Sequence, residues 1–246
     1  MSPAGDPYPG TVPPGYDATR RELQRVATHV LARARADHGG RFGLRATPTG
    51  IATPPFGPDD TVLRLAGTRL VHERRIGTDT RMAVLDLPGR SLADAAAFAG
   101  VDLSPPFSPG DDAPPVGEPD RVLAPDPVSS ELVLSWFVLG ARVLDAVLGD
   151  LTAPTVPQVW PEHFDIALGA TTGSGGVTLG ASPGDDGVPG AYFYVATWEA
   201  ARPGDREFWN APFGAVAARS DLDATGDPER AGVAFFRSGL DALGVA

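Results

Sequence analysis

Between residues 19 and 36 the apolar positions Leu23, Val26, Ala27, Val30, Leu31 and Ala34 recur at three- and four-residue steps. This is the repeat of an amphipathic helix with one buried stripe. Thr19 and Glu22 stand at capping-box spacing ahead of that stripe and predict the helix start. Arg25, His29 and Arg33 fall between the apolar positions and are expected to face water. From Arg41 to Leu87 the rhythm shortens to alternating segments, RFGLRAT, GIATPPF, TVLRLAG, RLVHERR and RMAVLDL, divided by Gly, Pro and Asp clusters. Alternation interrupted by turn residues predicts an antiparallel meander. A short helix follows, with Ser91 and Asp94 as a second capping box and Gly100 as its stop.

Residues 130–149 are apolar almost all round, with only Glu131, Ser135, Arg142 and Asp145 as a narrow polar stripe, so this helix is expected to be buried on most sides. Arg142 and Asp145, three apart, are placed to pair on that stripe. Three strand candidates come next, HFDIALGA, GVTLGA and AYFYVATW, and then a final helix near 229–243 with Asp227 as N-cap and Pro228 as its first residue. The fold class is therefore α+β, antiparallel sheets covered by helices. The expected organisation is a disordered leader at 1–17, an N-terminal half at 18–103, a Pro-rich connector at 104–127 and a C-terminal half at 128–246. Both halves run helix, gap, hairpin-rich sheet, and RFGLRATPTGIATPPFGPDDTVLRL and HFDIALGATTGSGGVTLGASPGDDGVPGAYFYV share an aromatic-first strand and an Asp-Asp loop. That likeness raises the hypothesis of an internal duplication, to be dropped if strand order or handedness differs.

Composition removes several chemistries. The 246 residues include no cysteine and no lysine, all 20 basic residues are arginine, and the net charge is −11. No thiolate, iron–sulfur cluster or Cys-bound zinc is expected, nor a pyridoxal phosphate Schiff base or a P-loop nucleotide site. The acidic balance disfavours nucleic acid and anionic membranes as partners. The longest strongly apolar run, Leu132–Ala141, is ten residues, and the leader has no apolar signal core, so a cytoplasmic location is expected.

Two motifs are set aside on physical grounds. GASPG at 180–184 matches a nucleophile elbow around Ser182, but the following Pro183 has no N–H for an oxyanion hole. DLDATGDPE at 221–229 begins like a calcium loop, yet its twelfth position is Gly232 in place of a carboxylate. There is no Gly-x-Gly-x-x-Gly after a strand.

The stretch VWPEHFDIAL, Val159–Leu168, carries the remaining chemistry. Read as a strand, it places His163 and Asp165 on one face and Glu162 on the other, with about 6.5 Å between alternate Cα atoms. Such a pair suits a general base with its orienting carboxylate, and equally suits the polar face of a structural strand. Nine of the 19 aromatic residues fall between Trp160 and Phe213. Among them Trp160, Tyr192, Tyr194, Trp198 and Trp209, joined by Asn210, are candidate ligand-binding residues, and Glu162, His163, Asp165, Asp185 and Asp186 are candidate metal ligands. LPGRSLADAAAFAGVDL, WPEHFDIALGA, GASPGDDGVPGAYFYV and FWNAPFGA together resemble a group of uncharacterised actinobacterial proteins, a resemblance that implies a common fold and no reaction. Three functions stay open. One is a small-molecule-binding protein with an aromatic-lined pocket. Another is a hydrolase, isomerase or lyase using His163 and Asp165, with or without a metal. The third is an interaction protein using the Pro-rich segment.

Overall fold

A computed structural model describes residues 12–173, 175–199 and 202–245. Most of the expected leader lies outside the described residues. The helices are α1 (Tyr16–Val26), continuing through a π-helical stretch (Ala27–Ala32) into α2 (Arg33–Gly39), then α3 (Leu92–Ala99), α4 (Pro127–Val147), α5 (Arg219–Asp223) and α6 (Pro228–Ala242). The strands are β1 (Arg45–Thr47), β2 (Gly50–Ala52), β3 (Val62–Ala66), β4 (Arg69–Ile76), β5 (Asp79–Asp86), β6 (Gln158–Trp160), β7 (Asp165–Thr172), β8 (Gly175–Ser182), β9 (Tyr192–Thr197) and β10 (Gly214–Ala218). They make two antiparallel sheets of five, and the fold is α+β. The chain divides into two compact units. The first is Pro14–Val138 with Gln158–Asp165, and the second is built on Leu139–Pro157 and Ile166–Ala246. The division thus falls inside α4, just before β6 and after the first residue of β7, away from the Pro-rich 104–127.

In the first unit β1 to β5 form the expected meander, each strand pairing antiparallel with the next in sequence. Leu23, Val26, Val30 and Leu31 of the long first helix and Ile51, Leu63, Leu65 and Leu70 of the sheet are among its fully buried side chains. Ser91 and Asp94 form the predicted capping box on α3, and Gly100 closes it in the left-handed region at φ 72°. The first helix departs from its prediction. It begins at Tyr16 behind a left-handed Gly15 that offers no side-chain cap, so Thr19 and Glu22 lie inside the helix and have another task.

That task is to hold the Pro-rich segment. Asp126 N–H donates to Thr19 Oγ1 at 3.0 Å and Ala124 N–H to Glu22 Oε2 at 3.0 Å. Arg25 donates to the carbonyl of Val116 at 2.5 Å and of Glu118 at 3.2 Å. His29 Nε2 donates to the carbonyl of Pro114 at 2.7 Å, and Arg33 Nη1 to that of Pro105 at 2.7 Å. Positions 19, 22, 25, 29 and 33 form one helical stripe. The segment is a strap running antiparallel along it. His29 and Arg33, expected in solvent, are 1 % and 4 % exposed.

The second unit carries the meander β7 to β10 in sequence order. Its core face is set by close approach at glycines. A methyl at Gly232 of α6 would lie 2.5 Å from the Phe193 ring, and one at Gly239 2.9 Å from Val195. Phe193 in turn packs edge-on to Phe236 at 5.3 Å. Asp227 caps α6 by accepting from Arg230 N–H at 3.0 Å, with Pro228 at its first turn, as predicted. Arg142 pairs with Glu229 at 2.7 Å, not with Asp145. The duplication hypothesis meets its strand-order condition, since β1–β3 and β7–β9 are both sequential meanders, the simplest antiparallel connection. The helix Pro127–Asp150 has the length and apolarity of a membrane-crossing helix, which the ten-residue run did not suggest. The core helix of a soluble protein meets the same measure, and 44 % of its most apolar window is buried.

Gly140 tests the packing of α4 in the second unit. Helix propensity alone favours Gly→Ala by about 1 kcal/mol. Here the added methyl would lie 2.7 Å from Ala181 Cβ and 2.8 Å from Ile166 Cγ2. Overpacking is expected to win, so that Gly140→Ala loses about 1–3 kcal/mol in urea denaturation; a gain in stability would refute the close contact.

Candidate functional site

In the first unit, VWPEHFDIAL folds differently from the strand it suggested. β6 ends at Trp160, and residues 161–164 make a turn closed by Phe164 N–H donating to the Trp160 carbonyl at 2.7 Å. Phe164 occupies the left-handed region at φ 54° although it is bulky and fully buried. Such a conformation costs on the order of 1–3 kcal/mol and persists only where surroundings enforce it. The surroundings are specific. The phenyl packs edge-on to Phe137 at 5.1 Å. Thr28 Oγ1 donates to the Pro161 carbonyl at 3.0 Å, and Gln24 Nε2 to the Glu162 carbonyl at 2.9 Å.

The turn breaks the alternation on which the His163–Asp165 pair rested. β7 begins at Asp165, so no strand face carries both residues. Asp165 is buried, whereas the His163 ring is half exposed and its Nδ1 lies 3.5 Å from Asp112 Oδ2. Glu162, expected on the opposite face, turns inward and is 6 % exposed. Its chain passes under Gly110 of the strap, where a methyl would sit 3.4 Å from Glu162 Cγ. Trp160 is half-buried and meets Phe42 edge-on at 6.2 Å.

Glu162 Oε2 and His29 Nδ1 are among the buried side-chain atoms of this unit that have no hydrogen-bond partner among the described residues. Burial pushes the Glu162 carboxyl above its usual range, with the neighbouring His163 opposing and Asp112 adding to the shift. Burial likewise holds the His29 imidazole below its usual value, against its bond to Pro114 and with help from the Arg25 and Arg33 charges. His29 sits in the π-helical stretch, a rare element that often accompanies function.

In the second unit most of the candidates are tied into the fold. Asp185 Oδ1 accepts from Gly187 N–H at 2.6 Å and Val188 N–H at 2.7 Å, and Oδ2 accepts from the Tyr192 hydroxyl. It is a turn-forming carboxylate, already filled. Asp186 is exposed. Asn210 donates to the Val216 carbonyl at 2.9 Å and accepts from Val216 N–H at 2.8 Å, so its amide closes the edge of β10 and is not free to orient a ligand. Trp209 is buried, with Nε1 donating to the Pro203 carbonyl at 2.8 Å. The metal candidates Glu162, His163 and Asp165 lie in the first unit, and Asp185 and Asp186 in the second. Among the described residues no group of three or more His, Asp or Glu is placed to hold a metal ion.

Trp198 and Tyr194 stand on the outer face of β7–β10, the first exposed and the second half-buried. Strand alternation puts both on one side of β9, about 13 Å apart, with Ala196 between them. Register sets Thr178 of β8 and Gly214 of β10 beside Ala196, so the floor between the rings is built from small residues. The Trp198 ring lies against Gly176 and Gly169, Nε1 donates to Thr178 Oγ1 at 2.9 Å, and 62 % of the residue is exposed. Tyr194 lies over Gly180 and meets the exposed Phe213 edge-on at 6.1 Å. Phe213 is an addition to the sequence-derived set. Gly176 and Gly180 of β8, four residues apart on one face, mark where the Trp198 and Tyr194 rings cover the sheet, and no sequence signal singled out Phe213. Comparisons with protein-family models, with curated proteins and with solved structures return no match for this chain.

The buried titrating groups predict opposite pH effects. For Glu162 the folded pKa lies above the unfolded value, so ionisation costs folding, and stability falls as pH rises from about 4.5 through the folded pKa. For His29 the folded pKa lies below the unfolded 6.5, so stability falls as pH drops through 6.5 toward the folded pKa. Urea denaturation across pH is expected to show that Glu162→Gln abolishes the first loss and His29→Gln, which keeps a donor for Pro114, abolishes the second. Unchanged profiles in both variants would disprove the burial of these groups.

Proposed function

We propose that the protein binds a small ring-shaped molecule on the outer face of β7–β10, with the exposed Trp198 ring as the stacking surface. The observation that carries this reading is the ring's posture. It lies on Gly176 and Gly169, is fixed by its bond to Thr178, and keeps its outer face in water. An exposed Trp ring held flat pays little conformational entropy on binding, and offers apolar area with a polar edge. The step of small residues beside it, with Tyr194 and Phe213 beyond, suits a saccharide or a similar ring that has one apolar face and hydroxyls at its rim.

A second reading has one observation in its favour. His163 is half exposed beside a carboxylate, as a general base and its orienter require, but that carboxylate is Asp112 in place of Asp165. It would make the protein a hydrolase, isomerase or lyase acting at the surface of the first unit.

Titration of tryptophan fluorescence with a panel of mono- and disaccharides separates the two. Binding is expected to give saturable quenching by at least one sugar without turnover. Trp198→Ala should weaken it at least about tenfold, a change of about 1.4 kcal/mol, while His163→Ala leaves it unchanged. Quenching that survives Trp198→Ala, or its absence across the panel, would sink the proposal.

A further inference from the structure

The sheet of the first unit is guarded on one side and open on the other. At β1 the edge strand is three residues long, and Leu44 just before it exchanges backbone hydrogen bonds with Val159. At the opposite side β5 presents eight residues, of which only Leu85 is even half-buried. Among the described residues no backbone hydrogen bond reaches β5 from the side away from β4. The second unit shows what a guarded edge looks like, with the Asn210 amide occupying both backbone groups of Val216.

Free edges are usually blunted by proline, a bulge or a central charge, because their unpaired N–H and C=O groups template another strand. In DTRMAVLD the centre is instead apolar. Met82 is 67 % exposed and Val84 46 % exposed, and both lie on one face opposite Glu73 and Val71 of β4.

We propose that β5 pairs antiparallel with β5 of a second copy of this chain about a two-fold axis through Ala83. An axis normal to the sheet keeps faces matched, so the register follows by counting. Ala83 meets Ala83, Met82 of each copy meets Val84 of the other, Arg81 meets Leu85, and Thr80 meets Asp86. The two large exposed apolar side chains of the strand are then covered by each other, twice. An axis through Met82 would face Val84 with Thr80, and one through Val84 would face Met82 with Asp86.

Charge agrees with the same register. No like charges oppose one another, and Asp86 arrives at Thr80, whose neighbour across β4 is Arg75. The β4–β5 hairpin holds Arg69, Arg74, Arg75 and Arg81 against Glu73, Asp79 and Asp86, so the net charge of −11 is concentrated elsewhere and does not repel at this edge. A foreign strand would satisfy the backbone groups equally well. Only an isologous contact supplies Val84 opposite Met82 and Met82 opposite Val84 at once.

The test uses the full chain in sedimentation velocity over a wide concentration range. A reversible dimer is expected, and the double substitution Met82→Lys with Val84→Lys should raise its dissociation constant at least about tenfold with an unchanged far-UV spectrum. Because the chain lacks cysteine, Ala83→Cys supplies a lone thiol. Mild oxidation is expected to cross-link that variant, while Asp79→Cys, away from the axis, stays uncross-linked. A chain that is monomeric throughout, a dimer indifferent to the lysines, or equal cross-linking of the two cysteine variants would each overturn the proposal.

Discussion

A proline-rich chain carries carbonyls but few amides, so it cannot satisfy its backbone by forming a sheet or helix of its own. In the first unit this deficit is met by one stripe of the first helix. Arg25, His29 and Arg33 donate to strap carbonyls, while Thr19 and Glu22 accept from the amides at its far end. Much follows from that arrangement. His29 and Arg33 become buried because the strap covers them. The strap's Gly110 is brought against Glu162, and the burial that shifts both Glu162 and His29 is a consequence of where the strap must lie. Two titratable groups are thus buried by the needs of a backbone.

The second unit solves a different problem with glycine. On its inner face Gly232 and Gly239 let α6 approach Phe193 and Val195. On its outer face Gly169, Gly176 and Gly180 leave shallow places where Trp198 and Tyr194 lie down on the sheet. Strand glycines normally weaken a sheet, and large rings laid over them recover lost contact area. The same geometry leaves one side of the Trp198 ring uncovered. The aromatic richness of the region therefore separates into rings that fill the core, such as Phe193 and Phe236, and rings that sit outside it.

The legible parts of the sequence were those governed by local pattern. The meander from Arg41 to Leu87, the Ser91–Asp94 cap and the Asp227–Pro228 helix start depend on neighbours a few residues away, and each is present. What was misread depends on distant partners. Thr19 and Glu22 have capping spacing, but residues 124 and 126 claim them. The polar positions His29 and Arg33 looked solvated because nothing local showed that a strap would cover them. HFDIALGA has strand alternation, yet the contacts of Gln24, Thr28 and Phe137 impose a turn up to Phe164. Asp185 and Asn210 had the chemistry of ligand contacts and were claimed by backbone groups within six residues. β10, made of Gly, Ala and Val, had too little alternation to be seen.

The absence of lysine beside 20 arginines bears on how such loops are held. Besides Arg25 and Arg33, Arg35 donates to the carbonyl of Gly43, and Arg202 to those of Ala211 and Pro212. These four guanidinium groups bind peptide oxygen, while the ion pairs of Arg142 and Arg237 lie at the surface. A guanidinium suits the first task because it is weakly hydrated and holds several donors in one rigid plane, so one side chain reaches two carbonyls at small desolvation cost. An ammonium would keep its hydration shell and leave a proline carbonyl short of a donor. Substitution of Arg by Lys at positions 25, 33 and 202 therefore alters packing while conserving charge, and the all-arginine composition becomes part of how loops rich in proline are kept in place.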